Sequence, residues 1–214
     1  MTHTNHREGS MESLSKDYVV FIFGARGINN KDIKAKLETF LRLAFKCGAV
    51  NAGTGPGANS GNMFTSTPDE LIKRLSTANS VFSVFDDKKK AQDLVKESAK
   101  ADLGLSVVVS GLFKEVEDIC LEAGIRRHTA LCSLGVWGKV EKLPEQNVRD
   151  VTTMCGHSMV AANLVRQMGA KVKKGLINLE DAACLLAKPC VCGVFNPKRA
   201  EEILGRYIEG EGGK

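Results

Sequence analysis

Apolar positions along this chain follow two periods that take turns. Residues 18–23, Tyr-Val-Val-Phe-Ile-Phe, form an unbroken β-prone run of the kind found in strands covered on both faces. Residues 31–46 then place Ile33, Leu37, Phe40, Leu41 and Ala44 at helical spacing, and Cys47-Gly48 closes that helix. A helix start at Thr67-Pro68-Asp69-Glu70 comes next, with a strand at 81–85 and a helix over 87–100. A strand at 105–109, a helix over 113–123 stopped by Gly124 and a strand-like run at 129–137 complete the series. Such alternation predicts an α/β layered fold with a largely parallel sheet, since strands joined by crossover helices connect right-handedly.

The pattern changes at 141–147, where Pro144 and charged residues interrupt it, and everything beyond reads as helical. The expected organisation is a polar, disordered leader (1–16), an α/β domain (17–144) and a C-terminal helical segment (145–210) packed on it. Within that segment, 158–171 and 178–186 read as two helices separated by Lys173-Lys174-Gly175. Asn178 and Asp181 provide a cap and a first-turn carboxylate for the second helix, and Asn196-Pro197 starts a last helix reaching about Tyr207.

The break lies nearly midway between two clusters, Cys155-Gly156-His157 and Cys190-Val191-Cys192. An antiparallel helix hairpin therefore returns both to the same end. Thiolates and imidazole suit zinc or an iron–sulfur cluster, which makes Cys155, His157, Cys190 and Cys192 the candidate metal ligands. The spacings differ from the usual Cys-x-x-Cys knuckle. In an extended Cys-x-Cys the side chains point to opposite sides, so Gly193 has to permit a turn. If only one thiol faces inward, His128 or Cys132 completes the set. Cys155, His157 and His128 are the candidate catalytic residues, with His128 a proton shuttle or ligand.

The tetrapeptide Met154-Cys155-Gly156-His157 is similar to the motif around one catalytic cysteine of proline racemase-type enzymes, in which two cysteines face each other across the substrate carbon. The similarity covers four residues, and the context of Cys190 and Cys192 is unlike that of the second cysteine there. It implies a metal-free alternative, racemase-like or thiol-transfer, in which Cys155 works with Cys190 or Cys192. A non-catalytic protein with a structural metal is the third class.

Composition narrows the partners. A net charge of +5 suits a small anionic molecule, while the interleaving of bases with acids argues against nucleic acid; Lys88-Lys89-Lys90 reads as a solvated helix start. Seven cysteines and no apolar leader point to a reducing, cytoplasmic setting. No run approaches the roughly 18–20 apolar residues of a membrane span. Homo-oligomer formation is left open. The glycine-rich stretch 53–61 lacks the Lys-Ser/Thr ending of a P-loop, yet its backbone amides at Gly53, Thr54, Gly55 and Gly57, with Arg26 nearby, form a candidate anion-binding loop. Ligands of open α/β sheets bind beyond strand carboxyl ends, which places the expected pocket between this loop, Arg26 and the cysteines.

Overall fold

The computed structural model describes residues 4–55 and 60–210 of the chain. A one-turn helix α1 (Met11–Leu14) leads into β1 (Tyr18–Phe23), α2 (Ile33–Lys46) and β2 (Asn51–Thr54). Next come α3 (Pro68–Arg74), β3 (Ser80–Phe85), α4 (Lys88–Ala101), β4 (Ser106–Ser110) and α5 (Phe113–Glu122). The C-terminal helices are α6 (Gln146–Thr152), α7 (Ala162–Lys173), α8 (Leu179–Ala187) and α9 (Pro197–Glu209). Thr67, Asn178 and Asn196, expected as caps, perform that role, and Asp87 does so as well. Thr67 and Glu70 form a reciprocal capping box on α3, and Asp87, Asn178 and Asn196 each accept a first-turn amide of α4, α8 and α9.

The sheet is antiparallel throughout, in the order β2-β3-β1-β4, which corrects the expectation of a largely parallel one. The helical crossovers are present, because β1 and β2 both run antiparallel to β3 and so run the same way. Each helix-linked pair is, however, separated by a strand of the other pair. This is the split βαβ arrangement, in which two crossover units interleave. A helix between two strands predicts their direction and not their adjacency.

Helices cover both faces. Tyr18, Val20 and Ile22 pack with Leu37, Phe40 and Leu41 of α2 and Leu94 and Val95 of α4. Val19 and Phe21 of β1 and Phe82 of β3 meet Val165, Leu186, Phe195 and Leu204 of the C-terminal segment. Phe21 stacks on Phe82 with ring centroids 4.9 Å apart. Because β1 lies second from an edge and is covered on both sides, its apolar run has no solvent face to alternate towards.

Three further expectations change. Residues 129–137 are irregular and exposed rather than a strand: Leu134 and Trp137 are 81% and 82% accessible, and Gly135 and Gly138 turn the backbone at φ +93° and +90°. Residues 4–16 are docked rather than a loose leader, with Thr4 and Ser13 buried and Arg7 paired to Asp17. Gly53 and Thr54, expected in the glycine-rich loop, belong instead to the edge strand β2. The lysine run behaves as a solvated helix start should. Lys88, Lys89 and Lys90 pair with Asp118, Asp93 and Asp86.

Candidate functional site: a cysteine and histidine cluster at the end of a helix hairpin

The chain leaves α6 in a turn that carries Cys155, with the Cys155 amide donating to Thr152 O and the Ser158 amide to Cys155 O. It returns through α7 and α8, and Cys190 closes α8 by donating to Ala187 O. The Gly193 amide then donates to Cys190 O across a tight turn, with Gly193 at φ +75°, a conformation that side-chain-bearing residues disfavour. That turn lets both thiols of Cys190-Val191-Cys192 face inward. Cys155, Cys190 and Cys192 are at most 2% accessible, whereas His157 is exposed at the outer end of the cluster.

Cys190 Sγ lies 3.9 Å from Cys192 Sγ, which in turn lies 3.7 Å from His157 Nδ1. The thiol of Cys155 hydrogen-bonds Cys190; this bond, followed by burial, raises the Cys155 pKa. The same bond lowers Cys190, but its own interaction with Cys192 and its burial outweigh that, leaving it pushed up to about 12. Cys192, which accepts from Cys190, is lowered despite its burial. The quartet thus meets as a chain of neighbours, Cys155 to Cys190 to Cys192 to His157. Among the described residues no group of three or more His, Cys, Asp or Glu side chains that could hold a metal ion is found.

Polar residues outside the predicted set hold the cysteine loop. Asn62, wholly buried, places its Nδ2 3.1, 3.2 and 2.9 Å from the carbonyl oxygens of Ala187, Lys188 and Cys190. Its Oδ1 accepts the Phe64 amide at 2.8 Å. Asn51 Nδ2 donates to Phe195 O, and Arg7 Nη2 donates to Met154 O and Val194 O. A second link comes from glycines. A Cβ on Gly53 would sit 2.7 Å from the Cys192 carbonyl carbon, and one on Gly193 would sit 2.3 Å from that of Ala52. Backbone therefore lies against backbone where β2 meets the cysteine turn. Only the glycine richness around Asn62 marks this contact in the sequence, where it predicts a ligand loop.

The anion-loop residues accordingly have other partners. The Thr54 and Gly55 amides already donate to Gly61 O and Ser80 O, and Gly53 is paired with Phe82 within the sheet. Gly57 lies outside the described residues. Arg26 is exposed in the turn after β1, where Asn29 and Asn30 accept the Ala25 and Gly27 amides. His128 is exposed, its Nδ1 2.8 Å from Thr129 Oγ1, and lines a cavity with Cys132 beside β4.

Among the described residues no helix is long and apolar enough to cross a membrane. No protein-family model, no curated protein and no solved structure matches this chain.

Proposed function

We propose that the protein is an enzyme whose reaction centre is a soft-metal site, zinc or an iron–sulfur cluster, held by Cys155, Cys190, Cys192 and His157. The spacing carries this reading. Two sulfurs on one tetrahedral ion at about 2.3 Å lie about 3.7–4 Å apart, and a sulfur and an imidazole nitrogen slightly less; the neighbouring members here are 3.9 and 3.7 Å apart. All seven cysteines are free, which fits a reducing compartment such as the cytoplasm. Asn51, Asn62 and Arg7 hold the ligand-bearing turns in place, as preorganised sites require. His157, the exposed member, marks the side from which a small molecule reaches the centre. The net charge of +5 favours an anionic one.

A second reading rests on the 3.7 Å contact between Cys192 and His157, which is also the approach of a cysteine to an imidazole base. In it the centre is metal-free and Cys192 is the reactive thiol. Elemental analysis and absorption spectra of anaerobically purified wild type, Cys155→Ser and Cys120→Ser separate the two. The metal reading expects stoichiometric zinc, or iron with sulfide, in wild type and Cys120→Ser and its loss in Cys155→Ser, because a serine hydroxyl stays protonated and ligates poorly. A metal-free wild type overturns it, and alkylation of buried Cys192 faster than that of exposed Cys132 would then support the second.

A further inference from the structure

A cavity of about 570 Å³ opens at the free edge of the sheet, between β4 and the irregular segment 125–133. Its size is that of small-molecule sites, roughly 300–1,000 Å³. Phe23, Val107, Val116 and Leu131 contribute apolar wall, and Arg126 and His128 stand at it as exposed polar groups. Among the described residues β4 is an edge strand bonded only to β1, so its outward backbone groups face this space.

One end of the cavity is lined by Arg7 and Asp17. Asp17 is bonded to two guanidiniums at once, Arg7 Nη1 at 2.5 Å and Arg199 Nη1 at 2.8 Å, and all three side chains are buried, at 7% accessibility or less. Within the bonded triad one carboxylate serves two guanidiniums, and Asp150, partly buried, adds a further negative charge that acts on Arg199. Positive charge held away from water favours a nearby anion. The second observation is on Arg7 itself. Its Nη atoms bond Asp17, Met154 O and Val194 O, yet its Nε is buried and has no hydrogen-bond partner. A buried guanidinium donor left without a partner in the wall of a cavity calls for an acceptor there.

We infer that this cavity is a binding site for a small organic acid with an apolar body. The carboxylate bonds Arg7 Nε near the buried triad, and Arg126 and His128 add positive charge at the entrance. The hydrocarbon lies along Val107, Val116 and Leu131. Arg127 contributes less, being tied to Glu117 at 3.1 Å. The site uses none of Cys155, His157, Cys190 and Cys192, and the inference stands whether or not that cluster carries metal.

Isothermal titration of the full-length protein with hexanoate, octanoate and decanoate, against acetate and octanol, tests it. Octanoate is expected to bind about ten- to a hundredfold more tightly than octanol, the range of a charge-assisted hydrogen bond. It should also bind more tightly than acetate, which lacks the apolar body. Arg7→Lys removes the Nε donor but sits in a buried ion cluster and can compromise folding. Val107→Asp, on a partly exposed wall position, sets a like charge against the ligand and is expected to weaken octanoate about tenfold in a protein with unchanged circular dichroism. Equal affinity for octanoate and octanol, no binding of any of the three longer acids to folded wild type, or octanoate affinity unaltered in folded Val107→Asp would each overturn the inference.

Discussion

Asn62→Ala probes how the cysteine turn is held. The substitution removes a side chain whose Nδ2 approaches three carbonyl oxygens and whose Oδ1 accepts the Phe64 amide. Two of those carbonyls keep another donor, because Cys190 N bonds Ala187 O and Gly193 N bonds Cys190 O. Lys188 O and the Phe64 amide lose the partner that Asn62 supplied. At roughly 1–1.5 kcal/mol for each group left unpaired, plus the small void, the expected loss is about 2–4 kcal/mol. For a chain of this size each kcal/mol lowers Tm by about 2–4 °C, so a fall on the order of 10 °C is expected. Urea unfolding monitored by circular dichroism measures the stability, and alkylation of Cys190 by a small reagent under native conditions reports whether the turn has loosened. Asn62→Asp retains an acceptor for Phe64 and removes the donor; it should lose at least as much, since it also buries a charge. A loss below about 0.5 kcal/mol with Cys190 still protected would refute the assigned role.

Gly193→Ala should cost more than about 3 kcal/mol, because φ is +75° and the new Cβ would lie 2.3 Å from Ala52 backbone, whereas Gly124→Ala, at φ +72° with nothing within 4 Å, should cost about 1 kcal/mol; paired denaturation curves compare them. Asp17→Asn leaves two buried guanidiniums without their carboxylate, and a loss of about 3–5 kcal/mol is expected from urea unfolding. The bond from Arg166, followed by the backbone bond at Glu145, holds the Glu145 carboxyl near about 2. A carboxyl lowered on folding contributes stability above its unfolded pKa of about 4.3, and this is lost as the pH falls through about 2. Both partners are more than 40% exposed, with side-chain accessibilities of 41% and 43%, so screening limits the contribution to about 0.5–1 kcal/mol. Glu145→Gln should therefore lower stability near neutral pH and converge with wild type below about pH 2; a pH-independent difference would contradict the pairing.

Local chemistry was legible along the chain. The caps at Thr67, Asn178 and Asn196, the helix hairpin and the return of Cys155 and Cys190 to one end follow from side chains acting within a few residues and from helix lengths. These are short-range properties, and the pattern of residues specifies them directly. The partners of the strands were not legible. A helix between β1 and β2 requires a crossover, but whether β3 enters between them depends on which faces the remaining helices cover, a property of the whole packed chain. Residues 129–137 show the same limit from the other side, since a β-prone composition does not make a strand where no neighbour offers a ladder. The site divides in the same way. The sequence alone brought Cys155, His157, Cys190 and Cys192 together. Only the tertiary structure decided that glycines 53 and 193 serve close backbone contact, that Asn62 clamps the turn and that Arg7 reaches it from the N-terminal segment, because each of these contacts joins residues more than 120 positions apart.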